Sequence, residues 1–414
     1  MKVRTVPFRD ERPLLELPPS SDDALAWVRG DEGLVAWGEA VRLEPGRGPG
    51  RFAAADAELR ALAAASDVVD EVGRPDAGVL GIGSFSFGED RPGSVLIVPR
   101  VVIGRRDGVT WMTTIDPPGA PPVAAPATTT PRPVARDRPR YAGSSNPDLR
   151  WLEAVASAIT RIEAGELEKV VLARDHAVWS HEPFDALDLA RRLTRRFPRC
   201  HTFVVDGLVG ATPELLLSRR DDHVTSRVLA GTTGRRDDEA EDAQLGAALL
   251  ESTKDQAEHA LATDSVREVL APRCASLRGD PTPRLLRLDN VQHLATTFEG
   301  RLASPTGSLE LVAALHPTAA VGGTPRAAAL RLIAELEGMD RGRYAAPVGW
   351  TAPGGDGEWG IALRCAELSG ARARLFAGVG VVAASLPEDE LEETRLKLLA
   401  MQAALGTGPD GAAG

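Results

Sequence analysis

The 414-residue chain has only three cysteines, Cys200, Cys274 and Cys365, far apart and never in a CxxC pair. That rules out a disulfide framework and a zinc ribbon, and it suits a reducing cytosol. Aromatic residues make up 4% of the chain, so the core must be built largely from Leu, Val and Ala. No uninterrupted apolar run reaches the ~18 residues that read as a bilayer span. The opening MKVRTVPFRDERPLLELPPS lacks the apolar stretch of a secretory signal. Positive charge is also in deficit: 48 Lys and Arg against 59 Asp and Glu give a net charge of -11. A general nucleic-acid binder needs a basic surface and is therefore excluded, whereas a few buried Arg and Lys can still hold a small anion. Neither a GxxxxGK[ST] phosphate loop nor an HExxH pair occurs. What remains, 43% hydrophobic and 26% charged residues, is the composition of an ordinary globular protein.

Along the chain, residues 1–115 mix a helical stretch (Phe52 to Val72) with strand-like runs at Gly78–Phe87 and Ser94–Ile103, the latter followed by a polar turn at 105–108. Residues 116–140 are crowded with proline, which forbids both helix and sheet ladder, so they read as a linker or exposed loop. Beyond it, residues 141–407 carry a helix over Asn146–Ala164 closed by Gly165, and then a β-branched run at EKVVLARDHAVW. Helices follow at Ala186–Phe197, Gln244–Ala271, Pro325–Glu337 and Pro387–Leu405. Between them lie several consecutive strands and two expected hairpins, WGIALRCAEL and ARLFAGVGVVA. Strands that follow one another without intervening helices point to antiparallel or mixed sheets, and residues 1–407 read as one α+β unit.

A few residues stand out chemically. Gly378, Gly380 and Ala383 fit a dinucleotide-type GxGxxA, but the segment continues as a strand. The glycines then serve close backbone approach, in strand packing or to a ligand. Ser385, Pro387 and Glu388 form a helix-start signature, after which Glu390, Glu393 and Lys397 share one helical face. That face is either solvated charge or two carboxylates offered to a hard cation beside an anion-binding lysine. Glu258, four residues after Lys254, is either half of a surface ion pair or a third such carboxylate. Lys169 opens an apolar strand: exposed it is unremarkable, buried it is a candidate general base. Glu214, between Thr212-Pro213 and an apolar triplet, is placed to keep its proton and act as an acid.

Taken together, KVVLAR (169–174), GATPELLL (210–217), LAGTTGR (229–235), STKDQAEH (252–259), VQHL (291–294), HPTAAVGGTP (316–325), RYAAPVGW (343–350), GDGEWGIALRC (355–365) and AGVGVVAASLPEDELEET (377–394) with Lys397 resemble the chorismate-utilising enzymes, and within them the isochorismate synthases. The match covers most of residues 165–400; the N-terminal third matches mainly through GIGSFSF (81–87). The resemblance implies a fold like anthranilate synthase component I, with two packed β-sheets flanked by helices in a single large domain. It assigns Lys169 as the base that activates water and Glu214 as the acid that protonates the departing hydroxyl. It makes Glu258, Glu390 and Glu393 ligands of Mg²⁺, Tyr344 and Arg364 the grip on the enolpyruvyl carboxylate, helped by the backbone at Gly378. Gly231, Thr232, His293, Ala320 and Lys397 fall at further substrate positions.

Three features choose the branch within that resemblance. Lys169 favours water over ammonia, Ala230 stands where aminodeoxychorismate synthases carry a nucleophilic lysine, and Ala320 stands where salicylate synthases tend to have Thr. The expectation is a cytoplasmic, Mg²⁺-dependent isochorismate synthase acting on chorismate for menaquinone or siderophore synthesis, a monomer without a glutamine amidotransferase subunit. Salicylate formation with loss of pyruvate, a non-enzymatic chorismate or metal binder and a nicotinamide-dependent dehydrogenase are the competing readings.

Overall fold

A computed structural model of the chain describes residues 1–120 and 139–407; most of the Pro-rich segment 116–140 lies outside the described residues. The β-branched and apolar runs form strands joined in one hydrogen-bonded network, antiparallel throughout except where Lys2–Pro7 meets Asp67–Asp70. Two long strands, Glu32–Leu43 and Val95–Arg106, pair at its middle. From the first, the network runs through Leu25–Arg29, His201–Val205, Leu208–Thr212, Cys365–Ser369 and Arg372–Val381 to Lys169–Trp179. From the second it runs through Gly81–Ser84, Pro347–Thr351, Gly357–Ile361 and Leu215–Arg220 to His223–Gly234 and Val291–Leu302. The two expected sheets are thus two halves of a continuous ladder that folds back on itself. Leu25–Arg29 and His201–Val205 pack against Gly81–Ser84 and Pro347–Thr351 across the fold.

The few aromatics are spent on this interior. Trp27, Trp350 and Trp359 are fully buried, as are Trp111 and Trp151. Trp27 stacks on Phe203 at 6.5 Å, and Phe85, from the GIGSFSF segment, links Phe52 to Trp359 at 4.1 and 5.6 Å. Helices cover the network by amphipathic spacing: Asp148–Glu163 buries Trp151, Ala154, Val155, Ala158 and Ile162 on one stripe. Asp185 caps Ala186–Arg196 by accepting from the Asp188 amide, and Gly165 and Gly406 follow helices in the left-handed conformation.

Five local expectations are corrected. The helix begun at Arg51 stops at Ala64, and the β-branched pair in Asp67–Asp70 forms a strand instead. The long helix is two, Glu239–Glu251 and Thr253–Leu270, broken where Ser252 turns extended and accepts from the Asp255 amide as an N-cap. Ser385 does not cap the last helix, Pro387–Leu405; its hydroxyl accepts from the Val382 amide at 3.1 Å and hydrogen-bonds Glu390. WGIALRCAEL is not a hairpin, because Gly357–Ile361 and Cys365–Ser369 belong to opposite halves of the network. Cys365–Ser369 instead forms its hairpin with Arg372–Val381, so ARLFAGVGVVA runs as one strand and is not a hairpin of its own.

Candidate active site

The chain passes between the two halves at residues 213–214, after Leu208–Thr212, and again at 362–364, after Gly357–Ile361. Both crossings open onto one cavity, and each delivers a charged side chain to it, Glu214 and Arg364. Backbone bonds tie the crossings together: Ile361 N donates to Glu214 O at 3.4 Å, and Ala211 N to Arg364 O at 3.2 Å. Arg364 holds φ +48, a left-handed backbone that costs an alanine-like residue ~1–3 kcal/mol and is kept where the surroundings demand it.

Eleven of the thirteen expected site residues line this cavity: Glu214, Gly231, Thr232, Glu258, His293, Ala320, Tyr344, Arg364, Gly378, Glu393 and Lys397. Lys169 and Glu390 do not line it, but Lys169 pairs with Glu258, which does, and the charge of the lining Glu393 reaches Glu390. Lys169 has no exposed surface, and its Nζ lies 3.0 Å from Glu258 Oε1, an ion pair without the alignment of a hydrogen bond. The buried alternative for Lys169 is therefore the one realised. Glu214 is buried too; burial pushes its carboxyl up to about 8, although the charges of Lys169 and Lys397 pull the other way. The carboxyl is accordingly protonated at neutral pH and can donate.

Arg364 is buried, and among the described residues no carboxylate forms an ion pair with it, although the charge of Glu393 reaches it. Its guanidinium donates to the Lys397 carbonyl at 3.2 Å and to His293 Nε2 at 3.0 Å, and desolvation lowers its pKa. A desolvated guanidinium without a carboxylate calls for an anionic ligand. Burial, with Arg364 and Lys397 nearby, drives His293 far below the usual imidazole range, so it is neutral. Because Nε2 accepts from Arg364, Nδ1 carries the proton and donates towards Thr232 Oγ1 at 3.1 Å. Gly231 makes this contact possible: at φ +76 it forms the bulge that shifts the register between Ala230 and Thr232. Tyr344 stacks on Phe376 at 5.0 Å, and burial raises its phenol pKa, so it stays an O–H donor.

Of the two alternatives for Glu258, the surface pair with Lys254 is not the one realised. Lys254 reaches Glu390 on the last helix at 2.6 Å, Lys397 holds Glu393 at 2.6 Å, and Glu258 takes Lys169. Each of the three carboxylates thus has its own lysine, and among the described residues no three acid, His or Cys groups share a metal-sized site. The acids still feel one another. Burial first, then the Glu393 charge, raises the Glu390 pKa. Burial likewise raises Asp255, with Glu258 and Glu393 adding to it.

Asp255, Lys254 as a partner of Glu390, and Gly380 are site residues that sequence reasoning missed. Gly380 lines the cavity within a strand, as Gly378 does, so the dinucleotide-type match has no strand–turn–helix context. The signal for Gly380 was the expected close backbone approach; what approaches, the Glu258 carboxylate, was not legible.

Comparison with known proteins identifies the family and the fold. The chorismate binding enzyme family model matches residues 124–406, and the chain belongs to that family. It is 39% identical over 341 residues to a putative isochorismate synthase MenF from Mycobacterium tuberculosis (strain H37Rv), covering 78% of this chain and 86% of that protein. It is 42% identical over 268 residues to isochorismate synthase DhbC from Bacillus subtilis (strain 168), covering 62% and 67%. Among solved structures, a putative 2,3-dihydroxybenzoate-specific isochorismate synthase DhbC from Bacillus anthracis superposes with a TM-score of 0.81 at 32% identity, over 95% of this chain and 99% of that one. Anthranilate synthase component I from Streptococcus pneumoniae, at 20% identity and a TM-score of 0.70 over 90% and 92%, shares the fold. The expected family and fold both hold. No helix among the described residues is long and apolar enough to cross a membrane.

Proposed function

We propose that this enzyme is an isochorismate synthase that converts chorismate to isochorismate. The observation that carries the proposal is a carboxyl lifted to about 8 on the wall of a cavity backed by a fully buried lysine, an acid and a base in one enclosure. Lys169 takes a proton from a water molecule as that water adds to ring C2. Glu214 gives its proton to the C4 hydroxyl, which leaves as water. One water enters and one leaves, so the net change is the position of a hydroxyl. Arg364 and Tyr344 hold the enolpyruvyl carboxylate, with Lys397 and the Gly378 backbone closing the same side. Gly231, Thr232, His293 and Ala320 shape the ring pocket.

Glu258, Glu390 and Glu393 would hold Mg²⁺. Their donors are all oxygen, as a hard cation requires, and the repulsion that raises Glu390 is the kind a cation relieves. Bound there, the ion supplies positive charge against the ring carboxylate of chorismate. The lysine contacts of Glu390 and Glu393 would have to loosen as it binds, while Glu258 would offer the ion its other oxygen and keep Lys169 close. The proposal extends to a monomer acting in the cytoplasm without an amidotransferase subunit, serving menaquinone or siderophore synthesis.

Incubation with chorismate and Mg²⁺ followed by chromatography tests the activity. Isochorismate as the product supports it; salicylate with pyruvate, or unchanged chorismate, overturns it. Size-exclusion chromatography checks the monomer.

A further inference from the structure

Gly378 and Gly380 stand two residues apart on one strand, so both face the cavity while Val379 turns into the core. What their missing side chains leave room for differs. At Gly378 a Cβ would lie 3.0 Å from the Tyr344 hydroxyl and 3.2 Å from the Leu172 carbonyl. At Gly380 it would lie 2.0 Å from Glu258 Oε1, 2.8 Å from Glu258 Cδ and 2.9 Å from Lys169 Cε. Non-bonded heavy atoms settle at roughly 3.5–4.0 Å, so the volume of one methyl group at 380 is where the Glu258 carboxylate sits when it pairs with Lys169. The backbone does not itself demand glycine. Gly380 is outside the positive-φ set and pairs in register with Val171 in the ladder, a conformation alanine adopts freely. The three closest conflicts are all with the Lys169–Glu258 pair, and the nearest atom belongs to the end of a flexible side chain that can swing away.

We infer that Gly380 is a positioning residue: its missing Cβ sets how closely the acid of residue 258 and the amine of residue 169 approach one another. The inference rests on the proposed hydroxyl shift for its consequence in turnover, and on the distances alone for its structural content. Adding the methyl group displaces Glu258 from Lys169 while leaving the ladder, Arg364 and Tyr344 in place. The loss therefore falls on the chemical step and spares the grip on the enolpyruvyl carboxylate.

The test uses G380A, E258D and the double variant of the full chain. Aspartate is one methylene shorter and withdraws the carboxylate by roughly one bond length, ~1.5 Å, into the room that a Cβ leaves. At saturating Mg²⁺, G380A is expected to keep the KM for chorismate and to lose about 100-fold in kcat, the usual effect of an ångström-scale misplacement. E258D also slows turnover, but the double variant is no slower than G380A, because the two changes relieve one another. A ligand-free crystal structure of G380A shows Glu258 moved off Lys169. If G380A alone does not fold, recovery of a folded protein in the double variant is the supporting result. Unchanged kcat in G380A, losses that multiply in the double variant, an unmoved Glu258, or failure of both variants to fold overturns the inference. Should the wild-type enzyme make no isochorismate, the proposed activity fails, and the crystal structure of G380A still decides the geometry.

Discussion

Glu214 carries an unfavourable balance that its neighbours only partly correct. Removal from water raises its pKa to about 8, and two lysine charges do not bring it back. Its unfolded value is near the ordinary 4.5. Between those two values the native state holds a proton that the unfolded chain releases, so this group's contribution to stability falls as pH rises from 4.5 to 8 and levels off above. Glutamine has no charge to desolvate. Glu214→Gln should therefore melt close to the wild type near pH 5 and above it near pH 9 by a few degrees, which thermal melts across that range measure directly. A difference independent of pH would show that the carboxyl is not held protonated. In turnover the same substitution removes the proton donor, and wild-type kcat should fall as pH rises through about 8. Arg364 makes a contrasting case. Lysine keeps the charge but loses the planar fork that meets a carboxylate with two bonds, so Arg364→Lys should raise the KM for chorismate by about 10–100-fold. An unchanged KM would remove Arg364 from the substrate. Lys169 and Glu214 stood out in the sequence because each interrupts apolar residues. Their depth, the cause of their chemistry, came only from the way the two halves of the sheet close over them.

Elements were legible where periodicity was long and misread where one residue decided. The strand Lys169–Trp179 and the helices Asp148–Glu163 and Pro387–Leu405 lie close to where β-branched runs and apolar stripes placed them. The helix break at Ser252 was missed because the helical pattern runs through it; a serine can cap a helix or ride within one, and spacing does not tell which. That break matters to the site, since Thr253–Leu270 carries Lys254, Asp255 and Glu258 together. The same helix is fastened to the sheet by His259, which burial keeps neutral with a pKa near 4. Its Nδ1 meets the Ala230 carbonyl at 3.2 Å and its Nε2 the Thr296 hydroxyl at 2.8 Å, so Nδ1 donates and Nε2 accepts. His259→Ala strands both partners and leaves a hole under the helix, at a cost of about 2–4 kcal/mol. The expected outcome is a lower melting temperature together with weaker Mg²⁺ dependence of turnover, read by calorimetry and by a Mg²⁺ titration of the rate. A variant as stable as the wild type would mean the helix is held by its apolar face alone.

At the scale of the whole molecule, the cavity is where the two halves of the sheet and two distant helices come together. Glu214 and Arg364 sit on crossings between the halves, Glu258 on the Thr253–Leu270 helix, and Glu390, Glu393 and Lys397 on Pro387–Leu405. Without ligands these parts are joined by lysine–carboxylate pairs, and the ammonium groups answer part of the acid repulsion. A chorismate dianion that reaches from Arg364 to a Mg²⁺ ion on the glutamates would link one crossing to both helices. Neither ligand alone makes that link, because the acids repel the dianion and the ion has only the glutamates. Binding of the two should therefore be coupled, and linkage makes the coupling reciprocal. A ligand at about 100 times its dissociation constant adds ~2.7 kcal/mol of stability, enough for a thermal melt to resolve. Turnover would confuse the measurement, so Lys169→Ala, expected to keep the fold and lose activity, is the protein to use. In that variant, chorismate and Mg²⁺ together should raise the melting temperature by more than the sum of their separate shifts. Strictly additive shifts would mean that the ion and the substrate occupy independent sites, and the glutamate cluster would then not be the seat of the metal.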